Sequence, residues 1–356
     1  MKQRNHAFDL LCGICILRMV SLHTMQICGH ANDAWWAEVM QWSYFFMSFF
    51  FFKAGYFNKS VTATPTRAYV SDKAKRLLVP YLSAGLIGTA VYFAFYPYLT
   101  AKYGKFPAEL EWSHVWIKSD FYGNPPTWFL FSFFCAYVLI HLCEKTRHWL
   151  ITSFRAHGIR TPLTWMPRHW SSLVYLTFPF IGYALYRAGN PLWFSLSNVF
   201  MGVFFFELGR AWRRILSWLP QRAALYISTG LIACFIVGNF LFHDAAYTMS
   251  SNRFDGDFLP VIINMVCVLC GLSGLLITLG VRRVPVINYI GEHSMVFFVG
   301  HFPILFYYKY MHLTFGRSIY GRYDDVLILL PAVLMICAWL VPFVERYPVL
   351  SGRWKK

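Results

Sequence analysis

Blocks of about 17–25 predominantly apolar residues recur along this chain, the length that carries an α-helix across a bilayer. In lipid each backbone N–H and C=O must be satisfied internally, and a helix does this within a single segment. Composition points the same way. Hydrophobic residues make up 57% of the 356 and charged residues 13%, where a soluble domain carries about 25% charged. The expected fold is an all-α polytopic integral membrane protein, a single membrane-embedded domain over residues 1–356. Ten spans are expected, at 8–29, 40–58, 77–98, 126–143, 171–186, 191–209, 223–242, 258–281, 285–308 and 325–344. The turn signal Arg187-Ala188-Gly189-Asn190-Pro191 leaves the fifth and sixth open to being one re-entrant pair. The first block is too long for a cleaved leader and contains Arg18 and His23, so it reads as a retained span.

The net charge of +16 is not spread evenly. Lys59, Arg67, Lys73, Lys75 and Arg76 fall in the second loop, and Lys145, Arg147, Arg155, Arg160 and Arg168 in the fourth. Even-numbered loops and the two tails together hold about 22 Lys and Arg, against about 8 in the odd-numbered loops; the positive-inside rule then puts both termini in the cytoplasm. An even number of crossings requires the same. Membrane lipids are the expected partner of this charge. Nucleic acid is not, since no binding motif accompanies it.

There are 9 Cys. Cys12-x-x-Cys15 and Cys267-x-x-Cys270 fall inside expected spans with no second ligand pair nearby. They read as buried thiols, and no metal is expected.

Ionisable residues within spans carry the functional question. His23 sits in the outer half of the first span. It is open to two readings, an interhelical hydrogen-bonding residue or a general base or acid. Cys12 lies on the same face, since eleven residues make about three turns, and Asp9 lies close to it. Arg18 turns away from His23 and must reach another helix or a wet cavity. Lys53 lies near the cytoplasmic end of the second span; it either snorkels to the interface or lines a tunnel entrance. Lys73 and Arg76 precede the third span, either as a topology signal on lipid headgroups or as a phosphate clamp. His301, like His23, lies about 15 residues into a span of the same direction, so both are about 22 Å from the cytoplasmic side. Two histidines at one depth suggest a shared site.

These pieces, in this order, resemble the acyltransferase-3 family of integral membrane acyltransferases. The first span with its His, Phe50-Phe51-Phe52-Lys53-Ala54-Gly55-Tyr56-Phe57, Lys73-x-x-Arg76-Leu77-Leu78-Val79-Pro80-Tyr81, Pro126-Thr127-Trp128-Phe129-Leu130, and Ile290-Gly291-Glu292-His293-Ser294 through His301-Phe302-Pro303 are each similar to a segment of that family. The resemblance implies transfer of an acyl group, acetyl in the first instance, from cytoplasmic acyl-CoA to a hydroxyl of a cell-surface or lipid-linked carbohydrate. It implies a multi-pass cell-membrane protein, placed in a bacterial inner membrane. It puts His23, His301 and Arg18 at the chemistry and Lys73, Arg76 and Lys53 at the coenzyme. One position departs: the family's basic residue eleven before the first-span His is Cys12 here, and either Arg18, Lys53 or another cation takes its place or the family chemistry is altered here. Direct transfer and an acyl-His route both stay open. The rival readings are a transporter or flippase using Arg18, His23, Lys53 and Glu292, and a scaffold without chemistry.

Overall fold

The computed structural model describes residues 5–42, 46–58, 64–104, 114–159, 170–218, 220–280 and 283–354. Lys59, Arg160 and Arg168 of the basic loops lie outside them. In chain order the helices are α1 (His6–Cys28), α2 (Ala34–Trp42), α3 (Phe46–Phe57), α4 (Thr66–Lys73), α5 (Val79–Tyr103), α6 (Trp128–Ala156), α7 (Phe178–Arg187), α8 (Val199–Trp218), α9 (Ala224–Leu241), α10 (Phe258–Leu279), α11 (Pro285–Glu292), α12 (Ser294–Thr314), α13 (Tyr323–Arg346) and the short α14 (Pro348–Ser351). Strands β1 (Ala246–Thr248) and β2 (Arg253–Asp255) form one antiparallel hairpin.

Among the described residues, six helices are long and apolar enough to cross a membrane: α1, the continuous helix Thr66–Tyr103, Pro125–Ala156, α9, α10 and α13. Their outer faces carry large apolar side chains that water would not tolerate in such numbers. Trp339 is 80% exposed and Phe240 78%. A lipid environment accounts for both.

Helix α1 is the axis. Asn5 Oδ1 accepts from the amides of Ala7 and Phe8 at its start, satisfying donors that have no intrahelical partner. Gly29 ends it at φ 85°, while the next amide, His30, bonds back to the Met25 carbonyl, a left-handed stop that glycine adopts at little cost. Helices α3, α11, α12 and α13 all pack against it.

The second expected span holds α2 and α3, with residues 43–45 outside the described residues. Three expected spans take a different form. The fifth begins as a 3-10 segment, Trp170–Thr177, and becomes α-helical only at Phe178, where Pro179 occupies the first turn and needs no donor. The sixth starts later than expected, because Asn190, Phe194 and Ser195 hold positive φ before α8. The ninth breaks at His293, which has left helical geometry (φ −107°, ψ 23°) and bonds Glu345 on α13 at 2.5 Å.

The third expected span is longer than its apolar run. Ala74–Leu78 form a π turn between α4 and α5. Pro80 lacks an N–H, so one carbonyl of this turn loses its donor. The chain's last described residues answer this. Trp354 Nε1 donates to the Lys75 carbonyl at 2.8 Å, and Gly352 packs directly on the Arg76 carbonyl, with no room for a Cβ. Arg353 reaches the Glu292 carbonyl at 2.9 Å, and Asn288 the His6 carbonyl at 2.8 Å. Residues at both ends of the chain thus lie at one end of the bundle, beside Lys75 and Glu292.

Candidate functional site

Helices α1 and α11 cross with backbones in contact. A Cβ at Gly13 would collide with the Ile287 carbonyl, and one at Gly291 with the Asp9 carbonyl. That close crossing sets the two helices in register, and α12 carries it on to His301. His23 Nδ1 and His301 Nε2 lie 2.8 Å apart. The rings are nearly parallel, at 8° with centroids 5.1 Å apart.

The partners of His301 fix the protons. Its Nδ1 faces the carbonyls of Phe297 (3.0 Å) and Phe298 (2.9 Å). A carbonyl only accepts, so His301 Nδ1 carries hydrogen. In the neutral ring Nε2 is then an acceptor, and His23 Nδ1–H donates to it. This leaves the lone pair of the His23 ring on Nε2. His301 is fully buried, and both its nitrogens are engaged; His23 borders open space.

That space is a cavity of about 540 Å³. Arg18 lines it together with His23, although the two point from different faces of α1. The Arg18 guanidinium lies 4.0 Å over the Phe46 ring and donates to the Met40 carbonyl at 3.4 Å. Gln26, Ser48, Lys118, Asp120 and Trp128 add polar and aromatic surface. The β1–β2 hairpin closes one side. Within it, Tyr247 donates to Asn252 Oδ1 (2.9 Å), and Asn252 Nδ2 holds the Gly182 carbonyl (2.9 Å). Burial pushes the Tyr247 phenol well above its usual range, so it stays a neutral donor.

A second cavity, about 680 Å³, gathers Lys53, Lys73 and Arg76. These come from α3, from the end of α4 and from the π turn. Short π insertions are frequent at functional sites. The Lys73 ammonium sits 4.2 Å over the Tyr137 ring. Arg76 Nε donates to Asp72 Oδ1 at 3.0 Å. Lys53 Nζ is 2.9 Å from Cys12 Sγ and 4.0 Å from Asp9 Oδ1. Its ammonium thus stands at the position where the sequence has a thiol in place of a cation. His6, Asp9 and Glu292 also bring ligand-type atoms within 4.8 Å of one another at this end, with the Lys53 charge beside them.

The residues singled out from sequence therefore divide between two cavities: Arg18 and His23 in one, Lys53, Lys73 and Arg76 in the other, with His301 behind His23. Sequence reasoning missed Asp72, Tyr137 and Phe298. Asp72 was readable as the i, i+4 partner of Arg76. Tyr137 reaches Lys73 only through the tertiary fold. Phe298, alone among the described residues, lines both cavities.

The profile of the acyltransferase-3 family, described as an acyltransferase domain, matches residues 5–344. No curated protein and no solved structure matches the chain.

Proposed function

This chain belongs to the acyltransferase-3 family, and from that premise we propose an integral membrane O-acyltransferase that moves an acyl group, acetyl first, from cytoplasmic acyl-CoA to a hydroxyl of a cell-surface or lipid-linked carbohydrate. The observation that carries this reading is the His23–His301 pair, which leaves a lone pair on a ring bordering one cavity, next to a second cavity lined by three cations. The loop charge bias assigns the cationic cavity to the cytoplasmic side, where Lys73, Arg76 and Lys53 meet the phosphates of the coenzyme. The acceptor enters the opposite cavity, where Trp128 offers an aromatic face and Gln26, Ser48 and Asp120 offer hydrogen bonds.

In direct transfer, His23 Nε2 takes the hydroxyl proton as the oxygen bonds to the thioester carbonyl carbon. Arg18 stabilises the oxyanion. The C–S bond then breaks, and His23 returns its proton to the departing thiolate. His301 holds the imidazole in the tautomer this needs. An acyl-imidazole route would use the same nitrogen. The support for ten crossings with both termini cytoplasmic is the charge bias, together with the shared location of the chain's two described ends.

The test is His23→Ala in cells producing the protein at wild-type level. Mass spectrometry of surface glycans and lipids should show loss of an acyl group, which names donor group and acceptor together. Acylation at the wild-type level by that variant would remove His23 from the reaction.

A further inference from the structure

Building on that reading, we infer that Phe298 is the specificity-determining residue for the acyl group: its ring is the partition between the donor cavity and His23, and only a short acyl chain passes it. The side chain is 5% exposed and forms wall on both sides. The ring is held where it stands. It tilts against Phe129 at 5.5 Å between centroids and against His301 at 6.5 Å. Its own carbonyl accepts the His301 Nδ1 hydrogen bond, so the turn that carries it is pinned by the same contact that orients His23. A thioester carbonyl must come to His23 Nε2 from the side of Lys53 and Lys73, and this ring stands in between. A two-carbon acyl group needs only a small displacement of the ring. A longer chain needs the ring moved out of a wall already filled by Phe129 and His301. Close-packed interiors resist such displacement, and one methylene in a tight pocket changes rates by about 10–200-fold.

The experiment uses the full-length protein in membranes that contain its native acceptor, supplied with labelled acetyl-, butyryl- or hexanoyl-CoA. Acyl incorporation is measured, and binding of each thioester to purified protein is measured by calorimetry. Wild type should favour acetyl over butyryl. Phe298→Ala should raise the butyryl-to-acetyl ratio at least about tenfold, and Phe298→Trp should lower it. Should the Ala variant fail to accumulate, Phe298→Leu must still raise the ratio. Unchanged ratios in the variants that accumulate, with thioesters still bound and transferred, overturn the partition and leave the acyltransferase reading standing. Wild-type protein that binds no thioester and incorporates no label overturns both.

Discussion

His301 Nε2 accepts from His23 Nδ1 at 2.8 Å, while His301 Nδ1 is committed to two main-chain carbonyls. The second histidine therefore acts on the first and does not reach the cavity itself. His301→Ala should lower kcat by more than about tenfold with little change in KM, since an orienting partner acts in the transition state. His301→Gln, whose amide oxygen can accept the same hydrogen bond, should recover part of the loss. Steady-state kinetics on the two variants separate orientation from a general loss of fold, which would affect both alike.

Lys53 and Cys12 make a charge-swap test. Lys53→Met removes the ammonium that lies 2.9 Å from Cys12 Sγ. Acyl transfer should fall at least about tenfold, as expected for loss of a charge-assisted contact. Adding Cys12→Arg in the same chain should restore part of it, because a guanidinium from α1 can occupy the same region. Transfer is measured per unit of membrane-inserted protein. A double variant no better than Lys53→Met would show that Lys53 does not stand in for a basic residue at position 12.

The helix crossing under the histidine pair is unforgiving. Gly291→Ala and Gly13→Ala each drive a methyl group into a backbone carbonyl. Overpacking of this kind costs about 1–3 kcal/mol, and here it also pushes α11 and α12 off α1. Both variants should melt earlier in detergent and lose activity. Gly300→Ala is the control: its new Cβ would meet only Cys337 Sγ, at 3.5 Å, and its melting temperature should stay near wild type.

At the donor cavity the three charged residues should differ in sign. Lys73→Ala should raise the donor KM about tenfold, the scale of one charge-assisted hydrogen bond. Arg76→Ala should do less, because its side chain is 39% exposed and water screens it. Asp72→Asn should lower the donor KM, since it removes the carboxylate that now competes with phosphate for Arg76. In all three, kcat should change little. An Asp72→Asn variant with a raised donor KM would argue against phosphate binding at Arg76.

The histidine pairing could be read from the sequence because a helix converts residue number into depth, and His23 and His301 have matching counts from the same side. What brings their helices together could not. Gly13 and Gly291 are small residues in ordinary apolar runs, and only the tertiary crossing shows that their missing side chains are required. The stretch 285–308 reads as one continuous span, yet it breaks at His293, because hydropathy measures affinity for lipid and says nothing of where the backbone turns. The β1–β2 hairpin was invisible for a related reason. Three-residue strands carry too little alternation to register, and their stability comes from Tyr247, Asn252 and the Gly182 carbonyl beneath them. The substitute for a basic residue at Cys12 was narrowed to a few cations. Side-chain reach between α1 and α3, which no single helix encodes, puts the Lys53 ammonium 2.9 Å from Cys12 Sγ.

The bond from Trp354 to the Lys75 carbonyl joins residues 279 apart in sequence, and it has a consequence for the order in which the protein is made. A ribosome delivers the π turn with Lys75 and Arg76 long before it delivers the tryptophan that satisfies it. Until then the Lys75 carbonyl, which lies at an exposed position, takes its hydrogen bond from water, and the indole replaces that water only when residues 352–354 dock. A chain released before residue 352 would already hold both histidines, yet it would lack the contacts that Gly352 and Trp354 make with the π turn, so the backbone around Lys75 and Arg76 gains its packing late in synthesis.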